Sequence, residues 1–272
     1  MRPFHFLALA AAVPLLACAS LSGPDGEALD SAIAGEHRSA ENRARDVWRH
    51  PSETLTFFGL RPDQRVVEIL PGGGWYTEIL APTLQPSGEL ILATYGPESE
   101  GDYRQRSYHN MVKKLKAEPE VYAGTEIVLF DPPAALEVAE PGSVDVVLTF
   151  RSTHHWVRTG VAEEAYAAFF RALKPGGTLG VVQHRAPAGV EPVPWAKRGY
   201  VPQAFLVALV EAQGFELVES SEINANPRDS KDHPDGVWDL PPVLMGPDED
   251  RERYLAIGES DRMTLRFEKP AE

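Results

Sequence analysis

From residue 65 onward the chain alternates between short apolar runs and longer amphipathic stretches. Val66-Val67-Glu68-Ile69-Leu70 is a β-branched, apolar run carrying one acid, and it stops at Pro71 and the glycines Gly72, Gly73 and Gly74. Apolar residues return at 75/76 and 79/80, the spacing of one helix face. The stretch predicts strand, tight glycine turn, then a helix from Trp75 to near Ala81. Further strands are predicted over Glu89–Thr94, Glu126–Phe130, Val144–Phe150, Thr178–Gln183, Phe215–Ile223 and Arg262–Glu268. Helices are predicted between them, over Tyr103–Lys116, Val161–Leu173 and Pro202–Gln213, the second stopped by Pro175 and Gly176. Such alternation predicts a doubly wound α/β, Rossmann-like sheet, mostly parallel and covered by helices on both faces.

The first 62 residues pattern differently and divide into three pieces ahead of a main domain at 63–272. Residues 19–34, with Ser20, Ser22, Gly23, Pro24 and Gly26, read as a solvated tether. Residues 35–62 read as a helical arm broken at Pro51, with Ser52 as N-cap of a second short helix and Trp48, Leu55, Phe57 and Phe58 as its docking residues. Arg49 and His50 read as solvated surface groups, the alternative being the mouth of a ligand site. Residues 1–18 form a leader: Arg2, then a short apolar run from Phe6 to Ala17, too short to span a bilayer.

The sequence Leu15-Leu16-Ala17-Cys18 resembles the lipobox of bacterial lipoproteins, in which the cysteine thiol is lipidated. Cys18 is the only cysteine, so no internal disulfide can form. The expectation is an exported chain on the periplasmic side of the envelope, anchored in the outer membrane through lipid on Cys18. A cut by ordinary signal peptidase at Ala17-x-Ala19 is the alternative, as is a misassigned start. The formal net charge of −14 argues against nucleic acid or an anionic membrane surface as main partner. The basic run Arg104, Arg106, Lys113, Lys114 and Lys116 reads as the solvated face of one helix.

Several motifs together resemble the class I S-adenosylmethionine-dependent methyltransferases over residues 60–269. Val66–Gly74 resembles the family's first motif, Asp131 stands where it has an acid for the adenine amino group, and Ser143–Phe150 resembles its fourth strand. Leu173-Lys174-Pro175-Gly176-Gly177 resembles its turn into strand 5, and Gly214-Phe215 precedes what resembles its antiparallel closing pair. The resemblance implies about seven strands with an antiparallel last strand. It also implies S-adenosylmethionine as cofactor, bound by Glu68, Pro71, Gly72, Gly73, Gly74, Trp75, Thr94, Asp131 and Arg151. Trp75-Tyr76-Thr77, Arg151–Trp156, Val237–Pro242 and Ile257–Met263 further resemble a bacterial subgroup of predicted methyltransferases, many with export signals. Two departures stand out. The family has glycine where Leu70 stands, and an acid for the ribose hydroxyls where this chain has Thr94 or Tyr95.

Methyl transfer from a sulfonium is an in-line displacement, which needs a positioned nucleophile and sometimes a base. Ligands of α/β sheets lie beyond the carboxyl ends of the strands. Tyr76, His154 and His155 are therefore the catalytic candidates, histidine because its ordinary pKa suits proton transfer near neutrality. No metal site is expected, since adjacent histidines diverge and His109, His184 and His233 lack ligand spacing. Asp131-Pro132-Pro133 lacks the aromatic and the position of an amino-methylating DNA enzyme's motif, and Gly72-x-Gly74-x-x-Thr77 lacks the third small residue of a dinucleotide fingerprint. The expected function is methyl transfer to a small molecule. The rival is a non-catalytic envelope binding module on the same scaffold, because S-adenosylmethionine is made in the cytosol.

Overall fold

The computed structural model describes residues 24–271 apart from Pro86, so the leader and Cys18 lie outside the described residues. The apolar runs form seven strands: β1 (Arg65–Ile69), β2 (Glu89–Thr94), β3 (Thr125–Leu129), β4 (Val144–Phe150), β5 (Leu173–His184), β6 (Glu216–Ser221) and β7 (Arg262–Glu268). They make one sheet in the order β3-β2-β1-β4-β5-β7-β6. The first five strands run parallel, and β7 is antiparallel to both β5 and β6. The chain leaves β1 toward β2 and β3, then returns to β4 on its other side. That reversal opens a crevice at the carboxyl ends of β1 and β4.

Successive residues of β1 serve opposite faces, as the two-residue period requires. Val67 and Ile69 join one core with Val147, Phe169 and Leu265, while Val66 joins the other with Leu80, Leu92 and Leu148. Both faces are covered, which is why β1, β2 and β4 read as nearly continuous apolar runs. Glu68 interrupts that run and is buried between Leu92 and Leu148 of the neighbouring strands. Asp145, at the start of β4, accepts hydrogen bonds from the Arg65 N–H at 2.9 Å and from Lys174 at 2.6 Å. The Lys-Pro-Gly-Gly turn is itself part of β5, because Gly176 and Gly177 exchange backbone hydrogen bonds with Lys269.

The helices are α1 (Pro24–Ala34), α2 (Ala40–Arg43), α3 (Asp46–Arg49), α4 (Pro51–Phe57), α5 (Thr77–Leu84) and α6 (Asp102–Ala117). After β4 come α7 (Thr153–Thr159), α8 (Ala162–Ala172), α9 (Pro192–Ala196), α10 (Gln203–Glu211) and α11 (Arg251–Ile257). Three expectations are corrected. Residues 24–34 are helix rather than tether: Leu29, Ala32 and Ile33 form an apolar stripe that packs with Leu80 of α5, and composition alone hid that one-sided pattern. Pro51 begins α4 instead of breaking it, since the first helical position needs no N–H donor; His50, not Ser52, is the N-cap. Trp75 and Tyr76 lie in the turn ahead of α5, with their rings buried.

The polar segment from Asn224 to Asp250 folds back over the crevice. Most of its charges face solvent, but Asp229 and Asp239 are buried: the Asp229 carboxylate accepts from the Tyr200 hydroxyl at 3.1 Å and from the Asp261 N–H at 2.8 Å. Asn224 Nδ2 donates to Thr54 and Thr264, joining this segment to α4 and β7. Among the described residues no helix is long and apolar enough to cross a membrane.

Candidate active site

A cavity of about 380 Å³ fills the crevice at the β1/β4 switch point. Leu70, Pro71, Gly72 and Gly73 form one side, and Phe150, Arg151, Ser152, His154 and His155 the other. Leu70 and Arg151, the residues that follow β1 and β4, both adopt left-handed backbone, at φ 47° and 62°. Each side chain pays for that conformation by about 1–2 kcal/mol. Sheet hydrogen bonds hold both in place, from the Leu70 N–H to Ala93 O at 2.8 Å and from the Arg151 N–H to Val182 O at 2.7 Å.

Glu68 lines the cavity floor and is 2% exposed. Its carboxylate accepts a hydrogen bond from Thr77 Oγ1 at 2.6 Å, and burial pushes its pKa up to about 7. Above it the Tyr76 ring stacks on Phe150 with centroids 3.5 Å apart and planes 11° from parallel. Burial raises the Tyr76 phenol pKa, so at neutral pH it is a hydroxyl donor. Trp75 Nε1 donates to Asn42 O at 2.9 Å, fastening the glycine turn to the N-terminal arm.

The arm supplies the roof. Arg45 and Arg49 reach in from the α3 region to a buried carboxylate, Glu259, just ahead of β7. Arg262 joins them, and the three nitrogen–oxygen distances are 2.8, 3.0 and 2.9 Å. These cations hold Glu259 far below the ordinary carboxylate range in spite of its burial. The surface reading of Arg49 is therefore wrong: it is 1% exposed, lies over the Trp75 ring at 4.8 Å and lines the cavity. Its helix ends at left-handed His50, which turns the chain so that Arg49 points inward.

His154, His155 and His184 share one wall. The first two rings lie 4.0 Å apart and the first and third 5.8 Å. All three are deprotonated at neutral pH. Burial, with the nearby Arg158 and Arg104, brings His155 down to about 4, and burial with surrounding cations holds His184 well below its usual value. Burial and the other two rings do the same to His154, whose Nε2 has no hydrogen-bond partner. The ordinary histidine pKa that made these residues candidate bases is thus not the one this wall provides. They are neutral imidazoles here, each one donor and one acceptor, and weak bases. No cluster of three His, Cys, Asp or Glu side chains among the described residues could hold a metal ion.

A second cavity of about 340 Å³ adjoins the first, and both are lined by Tyr95, Tyr103, His155 and Trp238. Asp131 lies in this second chamber, where Arg104 Nη1 donates to its Oδ1 at 2.5 Å. The basic helix therefore has a role beyond solvation, since Arg104 of α6 also covers the Tyr95 ring at 5.3 Å. Two residues expected at the ligand are elsewhere. Thr94 is buried inside β2 and its neighbour Tyr95 lines the chambers instead. Gly74, at φ 77°, faces α6: an added Cβ would come within 3.0–3.2 Å of Lys114 and Met111, so the missing side chain serves helix packing. Gly72 and Gly73 have open space where a Cβ would be, on the cavity side.

Glu68, Pro71, Gly72, Gly73, Trp75, Tyr76, Arg151, His154 and His155 are brought together around the first cavity, and Asp131 around the second. Sequence reading missed Arg45, His184, Trp238 and Glu259 as site residues, and it offered Arg49 at a ligand mouth and Tyr95 at the ribose position only as alternatives. Of the missed residues, Trp238 and Glu259 stood in stretches that had drawn notice through the resemblance of Val237–Pro242 and Ile257–Met263.

The chain matches no protein-family model, and no curated protein matches it in sequence. Solved structures do match its fold. An S-adenosylmethionine-dependent methyltransferase from Aquifex aeolicus superposes with a TM-score of 0.56 at 12% identity, over 83% of this chain and 93% of its own. A second such methyltransferase, from Methanosarcina mazei, gives 0.51 at 13% identity over 80% and 97%. The 4+2 cyclase SpnF gives 0.54 at 16% identity over 90% and 92%. Likeness at this identity speaks for the fold alone, and a cyclase among the matches makes the same point. The strand order, the antiparallel β7 and these superpositions together identify the architecture: this chain has the class I methyltransferase fold.

Proposed function

We propose that this chain transfers a methyl group from S-adenosylmethionine to a small-molecule acceptor. The observation that carries the reading is the pair of joined chambers at the β1/β4 switch point, with Glu68 in one and Asp131 in the other. Their linings fit the two ends of the cofactor. Glu68 would take the methionine ammonium, whose charge favours the ionised carboxylate and draws its pKa down from about 7. The Gly72–Gly73 backbone lies open to the same end, and the free Oδ2 of Asp131 would accept from the adenine amino group. At the ribose the fit departs from the family pattern, since Tyr95, Tyr103 and Ser107 line that stretch without a carboxylate. Bound there, the cofactor supplies a methyl on a sulfonium.

The chain's own contribution is placement and exclusion of water. The stacked Tyr76 and Phe150 rings wall the cavity with aromatic faces, and the Tyr76 hydroxyl can donate but not ionise at neutral pH. The neutral His155 can accept a hydrogen bond from an acceptor's N–H or O–H and orient its lone pair. His154, whose Nδ1 faces the Gln183 Nε2 at 3.4 Å, has its Nε2–H left to donate. Calorimetric titration with S-adenosylmethionine and S-adenosylhomocysteine tests the reading. Saturable binding of both is expected, and no heat from either with an intact fold would end it. We further propose export with lipid on Cys18, on the strength of the lipobox-like Leu15-Leu16-Ala17-Cys18. Mass spectrometry of the mature N-terminus should find a lipid-modified cysteine, and an unmodified chain starting beyond Cys18 would refute the anchor.

A further inference from the structure

The cavity carries more positive charge than the proposed cofactor can use. Arg45, Arg49, Arg151 and Arg262 surround a single ionised carboxylate, Glu259, in a chain whose net charge is −14. Arg45, Arg49 and Arg262 bond Glu259 directly, while Arg151 feels it only through space. Arg49 spends only Nε on the carboxylate. Its Nη1 and Nη2 are buried and have no hydrogen-bond partner among the described residues, although the side chain is 1% exposed. A buried guanidinium with two idle nitrogens costs free energy unless something completes it. S-adenosylmethionine does not lower the excess: its ammonium and sulfonium outweigh its one carboxylate.

We infer, on the reading of methyl transfer, that the acceptor is a small organic acid whose oxyanion, carboxylate or phosphate, is seated on Arg49 and Arg151. The guanidinium fork of Arg49 presents the donors such a group takes in pairs. Its position over Trp75 and the left-handed backbone of Arg151 fix both cations at the cavity wall. Burial first, and neighbouring cations after it, lower the pKa of both arginines, and a bound anion opposes both. Lacking other salt partners there, the anion would also set the acceptor's orientation toward the methyl donor.

Titration of the purified protein with benzoate and with inorganic phosphate, without and with saturating S-adenosylhomocysteine, tests this. Intrinsic tryptophan fluorescence or heat reads the binding. At least one anion should bind in both conditions. Arg49→Met should weaken it by about tenfold or more while changing S-adenosylhomocysteine affinity less than about threefold. Arg49→Lys, which keeps the charge and loses the fork, should fall between. If Arg49→Met melts below the assay temperature, Arg151→Met is read for the anion alone. Competition between the anion and S-adenosylhomocysteine, with Arg49→Met weakening both, would assign the arginines to the cofactor's carboxylate and overturn the inference. So would cofactor binding with no anion binding at all. Arg49-dependent anion binding by a protein that ignores S-adenosylhomocysteine would uphold the anion site and reject only the methyl-transfer reading.

Discussion

Two glutamates line the same cavity at nearly equal burial, yet the molecule treats them in opposite ways. Glu68, on the β1 side, has one hydroxyl donor and sits among apolar strands, so burial dominates and its pKa rises to about 7. Glu259, on the β7 side, is bonded by three arginines, and they overcome a comparable burial to keep it ionised. Desolvation is the same physical cost in both places; the donors around it decide the sign. One end of the site is thus poised to receive a cation and the other to receive an anion.

The two halves are separable by mutation. Glu259→Gln removes the one carboxylate from a cluster of four arginines and should destabilise the fold by about 3–5 kcal/mol, because buried like charges are left uncompensated. Urea unfolding at pH 7 measures it. A loss below about 1 kcal/mol would mean that water already screens the cluster and that Glu259 does not hold the arm to β7.

The pH dependence runs in opposite directions for the two groups. Glu68 has a folded pKa above its ordinary value of 4.5, so the folded state holds the proton more tightly and stability from this group falls as pH rises from about 4.5 to about 7. Glu259 has a depressed pKa, so its contribution is present above about 4.5 and is lost as pH falls further. Glu68→Gln removes the first effect only. Relative to wild type, the variant should gain about 3 kcal/mol between pH 4.5 and 8. A difference that stays flat across that window would place the Glu68 pKa near normal.

The β1 side was legible in the sequence and the β7 side was not, for a physical reason. Glu68, Pro71, Gly72 and Gly73 are contiguous, and one strand-turn-helix sets their relative positions. The strands of the parallel sheet were legible likewise, because strands buried on both faces announce themselves as apolar runs, whereas the antiparallel last strand came only with the resemblance. The arginine cluster joins residues more than 200 positions apart, Arg45 and Arg49 to Glu259, through the docking of an arm and a closing segment. No local period encodes such a meeting, and a charged residue on a short helix defaults to the surface reading. Gly74 failed differently: its left-handed backbone was foreseeable, but whether the space belonged to a ligand or to Lys114 depended on where α6 packs.

A third carboxylate extends the comparison. Asp131 is buried, though less deeply than either glutamate, and shares one oxygen with the half-exposed Arg104, so it stands between the two glutamates in pairing. Asp131→Ala should weaken S-adenosylhomocysteine binding by about 1–3 kcal/mol, through loss of the adenine contact. The fold should persist, since the ion pair is near the surface. Unchanged affinity in calorimetry would move the adenine out of the second chamber.

The smallest effect tests what keeps water from Glu68. Leu70 follows the end of β1 in left-handed backbone at φ 47°, and its side chain packs against the core while lining the cavity. Replacing it with glycine relieves about 1–2 kcal/mol of backbone strain. It also gives up part of a buried leucine, and adds the about 0.5–1 kcal/mol that glycine loses on folding. The opposing effects leave a net change in stability within about 1 kcal/mol. The informative readout is therefore not the melting temperature but its dependence on pH. With the leucine gone, water can reach the Glu68 carboxylate, whose raised pKa rests on desolvation before anything else. The pH window of the wild type should narrow toward 4.5 in Leu70→Gly, and Glu68→Gln made in that background should gain less than in the parent. If the window is unchanged, the strands of the sheet rather than Leu70 hold Glu68 dry, and the bulky residue at this position has no bearing on the acid beneath it.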